Sequence, residues 1–192
     1  MPFDAHADVA DHVLLRRFAA GDAGAARALT VRLTPRVFAH AFRLLSDRAE
    51  AEDVAQEALL RLWRIAPDWR EGEAQIATWL YRVTANLATD RLRRRRGVAL
   101  DAVPEPEDGR PSATDNLQDA ARAAALQAAL ANLPERQRQA VVLRHIEGLG
   151  NPEIAAIMDI SAEAVESLTA RGKGALSAAL AERRAELGYE DD

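Results

Sequence analysis

The stretch "GVALDAVPEPEDGRPSATDN", residues 97–116, constrains the fold of this 192-residue chain more than any other. Pro104, Pro106 and Pro111 remove amide donors and fix φ, so no continuous helix is expected to cross it. On either side, apolar residues recur at three- and four-residue spacing, and no long Val/Ile/Thr alternation appears. The expectation is an all-α chain: one small helical domain over residues 8–96, a flexible acidic linker over 97–116, and a second helical domain over 117–187. Like charges along the linker favour an extended chain. It reads equally as a solvated tether or as a segment with its own function.

Four helices are expected before the linker. The first covers about Val9 to Ala20 and stops at Gly21-Asp22. A short second helix runs from Ala25 to Leu33. Pro35 suits the first turn of a new helix, with Val37, Phe38, Ala41, Phe42 and Leu45 at helical spacing. "DRAEAEDVAQEALLRLWRIA" then carries the apolar stripe Val54, Ala55, Ala58, Leu59 and Leu62, and Pro67 ends it. The last long helix runs from about Gln75 to Arg95, with Ile76, Leu80, Val83 and Leu87 inward. After the linker, a helix from Leu117 to Ala131 precedes one opened by Pro134. Asn151 is expected as the N-cap of "NPEIAAIM", with Pro152 at its first position. Ser161 is expected to cap a final helix with Val165, Leu168, Gly172, Leu176 and Leu180 on its buried stripe.

Charge is segregated. The net formal charge is -5, yet Arg91, Arg93, Arg94, Arg95 and Arg96 crowd one helix end. Packing like charges together is unfavourable unless an anion offsets them, and phosphates act over about a Debye length, roughly 8 Å at physiological salt. On the same helix Trp79, Arg82, Asn86 and Arg93 fall along one side. An aromatic, arginines and an amide together can stack a base and hold a single-stranded backbone. The plainer alternative places Trp79 in the core and the arginines in solvent. The helix from Asp47 to Ile65 shows a mixed polar face of Glu50, Asp53, Gln56, Glu57, Arg61 and Arg64, either solvated or docked on a protein.

Near the C-terminus a short helix, the break "DIS" and a longer helix make a helix-turn-helix pattern. Ala155 permits close packing, Ile160 plugs the turn and Val165 anchors the second helix. That motif lays the start of its second helix in the major groove. The outward residues are Ser161, Glu163, Glu166, Ser167, Ala170, Arg171 and Lys173. Arg171 and Lys173 suit phosphates or guanine, and a glutamate can accept from cytosine N4.

Other functions find no support. The chain has no cysteine, which excludes disulfides and Cys-ligated zinc. His6, His12, His40 and His145 are scattered without metal-ligand spacing, and no Gly-rich phosphate loop or nucleophile elbow occurs. No catalysis, metal, cofactor or small-molecule substrate is expected. The acidic N-terminus lacks a secretion-signal order, and no apolar run approaches the ~20 residues that span a bilayer. A soluble cytoplasmic protein is expected.

Taken together, "DRAEAEDVAQEALLRLWR", "ATWLYRVTANLATDRLRRRR" and "LPERQRQAVVLRHIEGLGNPEIAAIMDISAEAVESLTARGKGAL" resemble a bacterial RNA polymerase sigma factor of the extracytoplasmic-function (ECF) group. The resemblance runs from Leu14 to Leu180 with the three motifs in order. The first is similar to region 2.2, which implies that Asp53, Gln56, Glu57 and Arg61 contact core RNA polymerase. The second is similar to regions 2.3 and 2.4, which implies that Trp79, Arg82, Asn86, Arg91 and Arg93 to Arg96 open and read the −10 promoter DNA. It also places Asp68 to Glu73 where an extruded base is captured. The third is similar to region 4, which implies a −35 reader, and the linker would thread the polymerase's RNA path. An anti-sigma factor is the implied inhibitor. The recognition helix departs from the family: Glu166 stands where a basic residue is usual, Leu168 where an arginine is, and Asn151-Pro152 replaces the usual opening. A distinct −35 preference is expected. The competing reading is a helix-turn-helix regulator that binds duplex DNA without polymerase, although no heptad seam is present to dimerise it.

Overall fold

The computed structural model describes residues 9–70, 72, 75–98 and 117–181. Among these, all regular structure is helical, in the order α1 (Asp11–Ala19), α2 (Ala23–Leu45), α3 (Arg48–Ile65), α4 (Ile76–Val98), α5 (Leu117–Ala131), α6 (Glu135–Val141), α7 (Asn151–Met158) and α8 (Ala162–Ala181). Most of the expected linker, 99–116, lies outside the described residues, while Gly97 and Val98 continue α4.

Two local expectations are corrected. Pro35 does not start a helix: it lies inside α2, which runs unbroken for 23 residues. Its missing amide leaves the Val31 carbonyl unbonded, but Val31 is 69% exposed, so water can take that carbonyl. The buried stripe Ala25, Leu29, Leu33, Val37, Ala41 and Leu44 passes straight through the proline, and its packing outweighs the lost hydrogen bond. Asn151 is not a cap either. The N-cap of α7 is Gly150, whose amide donates to the Glu153 carboxylate at 2.9 Å. Pro152 therefore sits at the second helical position, where its lack of an amide is equally harmless.

Three other helix starts, those of α2, α3 and α8, follow from short polar side chains. Asp22 accepts from the amides of Gly24 and Ala25 at 2.8 and 3.1 Å. Asp47 accepts from Glu50 at 2.9 Å, and Ser161 accepts from Ala164 at 3.2 Å. Asp159 turns the chain between α7 and α8 at φ +52°, a conformation aspartate tolerates better than most residues.

The first four helices enclose a core of Leu14, Leu15, Leu29, Leu33, Leu62 and Leu80. Arg32 locks α1 to α2 through the Val9 carbonyl at 2.8 Å and Asp11 at 2.6 Å. Region α5–α8 has a smaller core of Leu130, Leu133, Val141 and Val142. A further cluster is shared: Ala41, Leu44, Leu45, Tyr81, Ala85 and Ala88 from the first half pack with Leu143, Ile154, Ile157 and Met158 from the second. The sequence left the arrangement of the halves open. In the folded chain they are docked, with α7 against α4 and α5 against α2.

Candidate nucleic-acid interface

The helix α4 is 23 residues long and presents different residues to three surroundings. At about 100° per residue, Trp79, Arg82, Asn86 and Arg93 fall within roughly 60° of arc. Arg82, Asn86 and Arg93 are exposed, whereas Trp79 is half-buried. Its ring meets the edge of Trp69 at 5.9 Å and 83°, and it packs on the core of the first four helices. Trp79 thus serves the core on one side and borders the exposed face on the other.

The terminal arginines do not share one surface. Arg91 turns towards α3 and reaches Glu50 and Asp53, both at 3.3 Å. Arg95 follows one turn on, bonding Asp47 at 2.5 Å and Glu50 at 3.2 Å. Arg96 points the other way, to Glu135 of α6 at 2.5 Å. Arg93 pairs only locally, with Asp90 at 2.9 Å. Arg94 makes no ion pair among the described residues and lines a groove. The acid pairs had no signal in helical periodicity, since Asp47 and Glu50 are separated from Arg95 by more than forty positions. Asp47 itself titrates below the ordinary aspartate range. The Glu50 amide is the main cause; burial opposes it, and the Arg95 guanidinium adds to the lowering.

That groove lies between α3 and α4, holds about 410 Å³, and is open to solvent. Asp53, Gln56, Glu57 and Arg61 line one wall with Leu60; Leu87, Asp90, Arg91 and Arg94 line the other. Leu60 is 48% exposed, an apolar residue among charges. Glu57 and Arg61 pair at 2.9 Å along the helix, and this hydrogen bond holds the Glu57 carboxyl below its usual range. The four residues expected from sequence on this face are therefore together. The expected base-capture loop, Asp68 to Glu73, falls partly outside the described residues; Asp68 closes a 3-10 turn and Gly72 adopts φ +91°.

On α8 every outward candidate is exposed: Ser161, Glu163, Glu166, Ser167, Ala170, Arg171 and Lys173. Glu163, Glu166, Ser167 and Ala170 occupy the centre of this face, with Arg171 on one flank and Lys173 on the other. Ser161 and Glu163 also serve the helix start. Glu163 bonds its own amide and Ser161, which lowers its carboxyl pKa. Val165 is fully buried beneath and Ile160 packs at the turn, as the motif requires. His145 lies near this basic flank; burial first, then Lys173 and Arg144, depress its pKa. Among the described residues no cluster of His, Asp or Glu could hold a metal ion. None of their helices is long and apolar enough to cross a membrane.

Sequence reasoning missed the residues between the two halves. Arg138, Gln127, Glu147, His40 and Tyr81 form a polar seam there: Arg138 donates to the Leu44 carbonyl, Gln127 to the Phe42 carbonyl at 3.0 Å, and the Glu147 carboxylate lies 3.3 Å from His40 Nδ1 and 3.5 Å from Arg43, with the Tyr81 ring 4.8 Å from that of His40. No local signal marked them: Arg138 lies in the polar run Glu135 to Gln139, which reads as a solvated face.

A helix-turn-helix with an exposed second helix, joined to a helical unit that exposes arginines on α4, is the arrangement of a two-unit helix-turn-helix protein. Two family models match it: sigma-70 region 2 over residues 29–98 and sigma-70 region 4 over residues 123–176. The chain belongs to the sigma-70 family of RNA polymerase sigma factors, in its ECF group. The ECF RNA polymerase sigma-E factor of Escherichia coli K12 is 32% identical over 178 residues, covering 86% of this chain and 92% of that one. The RNA polymerase sigma-H factor of Pseudomonas aeruginosa is 30% identical over 88% of this chain and 93% of that one. The ECF sigma factor SigE of Mycolicibacterium smegmatis is 37% identical over 79% of this chain, which spans 60% of that relative's length. Among solved structures, CnrH in complex with the cytosolic domain of CnrY matches at a TM-score of 0.65 and 26% identity. That match covers 90% of this chain and 97% of the other. The sigma factor RpoE in complex with the anti-sigma factor NepR from Bartonella quintana shares the fold, with a TM-score of 0.66 and 24% identity. It covers 80% of this chain and 95% of that one.

Proposed function

We propose that this chain is the promoter-specificity subunit of a bacterial RNA polymerase, acting in the cytoplasm without catalysis of its own. The observation that carries this is the placement of two exposed faces, one on α4 and one on α8, beside a third, the groove of α3. Asp53, Gln56, Glu57 and Arg61 dock on core polymerase, with the half-exposed Leu60 as their apolar centre. Arg82, Asn86, Arg93 and Arg94 hold the opened −10 strand, bordered by Trp79; Arg91, Arg95 and Arg96 stiffen that surface while paired. The α8 face, from Ser161 to Lys173, reads the −35 duplex. The two functional units are residues 8–96 and 117–187, with 97–116 crossing the polymerase between them. An anti-sigma factor covers the polymerase-binding faces.

The test is run-off transcription with sigma-free core polymerase on a genomic fragment library. Discrete starts sharing two upstream motifs support the reading. Tight duplex binding by the chain alone, with no starts, replaces it with a regulator that works without polymerase. With starts in hand, Glu166→Lys is expected to change the −35 motif and leave the −10 motif intact. An unchanged −35 motif would place another part of α8 in the groove.

A further inference from the structure

The turn that leads from α6 towards α7 carries basic side chains that the promoter reading leaves unused. Helix α6 crosses α8 closely: a Cβ at Gly172 would lie 2.6 Å from Val141 Cγ2 and 3.2 Å from the Gln137 carbonyl. Directly after that crossing, Val142 to Ile146 form a π turn, in which the Glu147 amide donates to the Val142 carbonyl at 3.0 Å. A π turn takes in one more residue than an α turn, and such turns recur at functional sites. Its first two residues, Val142 and Leu143, are fully buried, whereas the next two, Arg144 and His145, are exposed. The turn keeps the core filled and sets two basic side chains at the surface in succession.

His145 faces cations. Lys173, exposed on one flank of the α8 face, and Arg144 are the charges that reach it. Arg144 spends one Nη on the Leu149 carbonyl at 3.0 Å and keeps its other donors. The neighbouring acids are committed elsewhere. Glu147 turns to His40 and Arg43 of α2 at 3.3 and 3.5 Å, and Glu153 of α7 accepts from the Gly150 amide at 2.9 Å. Among the described residues, neither His145 nor Lys173 makes a hydrogen bond or an ion pair. Three basic side chains from two elements therefore meet without a carboxylate, beside the face that reads duplex DNA. Burial first, then Lys173 and Arg144, hold the His145 imidazole below its usual range, so in the free chain it is neutral at neutral pH. A neutral imidazole has one N–H, whereas the protonated ring has two, and its charge strengthens a bond to a phosphate oxygen. A lysine or arginine here would already be charged; histidine changes state near neutral pH.

We propose that His145 is a proton-linked phosphate contact: flanked by Arg144 and Lys173, it takes up a proton as the −35 duplex is bound, and the grip of α8 on DNA tightens as pH falls. This rests on the −35 reading above and adds a regulation to it. The sign follows from linkage. In the free chain two cations oppose the protonated form; on DNA a phosphate offsets both and favours it. Binding then takes up a proton, so affinity rises as pH falls through the interval between the bound and the free value, and it levels off on either side. Each pKa unit that the phosphate restores gives at most about tenfold in affinity.

The test uses the full chain assembled with core polymerase, on a promoter obtained from the run-off library. Affinity is measured at constant salt at about pH 8 and about pH 6, on either side of the ordinary histidine range, for the parent, His145→Gln and His145→Arg. Titration of core polymerase is common to all three and cancels in the comparison. The parent is expected to gain about fivefold more than His145→Gln on acidification, within the tenfold limit of one pKa unit. His145→Arg is expected to show the flat profile of His145→Gln but to bind more tightly than it at the higher pH. On a duplex that ends downstream of the −35 element, the parent's extra gain should vanish. Equal pH profiles for the parent and His145→Gln would overturn the proton-linked contact and leave the −35 reading standing. An extra gain that persists on the shortened duplex would also overturn it, because His145 would then act without −35 phosphates. Equal affinity of the parent for the full and the shortened duplex would remove the −35 reading and the contact together.

Discussion

Gly172 and Gly174 lie two positions apart on α8 and are expected to respond oppositely to the same substitution. In an exposed helix interior, Gly→Ala gains about 1 kcal/mol of helix propensity. A Cβ at Gly174 would meet nothing within 4 Å, so Gly174→Ala should keep that gain. A Cβ at Gly172 would lie 2.6 Å from Val141 Cγ2 and 3.2 Å from the Gln137 carbonyl of α6. The methyl could yield by rotation, but the carbonyl belongs to a helix backbone. Overpacking of this kind costs about 1–3 kcal/mol. Taking about 2, Gly172→Ala should lose about 1 kcal/mol net after the propensity gain. With a urea slope of about 2 kcal/mol/M, the midpoints should move by roughly half a molar in opposite directions. Far-UV circular dichroism in urea measures both. Val141→Ala should be less destabilising in the Gly172→Ala background than alone, because it removes the methyl that clashes. Equal midpoints for the two glycine variants would refute the close α6–α8 crossing on which the placement of the recognition helix depends.

Two further expectations concern charge. Burial pushes the Glu147 carboxyl up, but hydrogen bonds from His40 and Tyr81 and the charges of His40 and Arg43 outweigh it, so it titrates below its ordinary 4.5. A depressed carboxylate stabilises the docked state above pH 4.5, and that contribution disappears as pH falls through the lowered value. Scattering should therefore show a constant radius from neutral pH down to about 5 and expansion only below the ordinary glutamate range; Glu147→Gln should lack this step, and expansion that begins above pH 5 would assign the seam to another group. The arginines should also separate by their restraint. Arg93→Ala and Arg94→Ala should each weaken open-complex formation and reduce its salt dependence by about one phosphate contact, whereas Arg95→Ala should act chiefly on stability, because its guanidinium is already held by Asp47 and Glu50. Equal salt slopes for all three would mean that the acid pairs dissolve on DNA.

The helices were legible because their signals are local. Apolar spacing marked α3 and α4, Asp47 marked the start of α3, and Ser161 capped α8 as its position suggested, whereas Asp22, read only as the stop of α1, also caps α2. Pro35 misled because a proline's meaning depends on whether its missing bond faces water, which a one-dimensional pattern does not state. Asn151 misled for a related reason: Glu153 supplies the capping acceptor from inside the helix, which frees Gly150 to be the cap. The α8 face was readable, since exposure on a helix follows its buried stripe. The partners of Arg91, Arg95 and Arg96 were not, because each acid comes from a distant helix. His40 and Glu147 are separated by 107 positions, and neither carries a motif.

The pairing also bears on how an acidic chain can hold promoter DNA. Arg93 and Asp90 are a local, exposed pair, 76% and 48% exposed at the side chain, and such pairs are worth little, about 0–1 kcal/mol. A phosphate can displace Asp90 at small cost. Arg91 and Arg95 are more enclosed, and their acids on α3 are rigidly placed; they brace α4 against α3 and keep the groove wall in position. Arg96 is different again, because its partner Glu135 belongs to the other half. That pair ties the C-terminal end of α4 to the start of α6. The acids therefore lower the positive potential around the C-terminal end of α4.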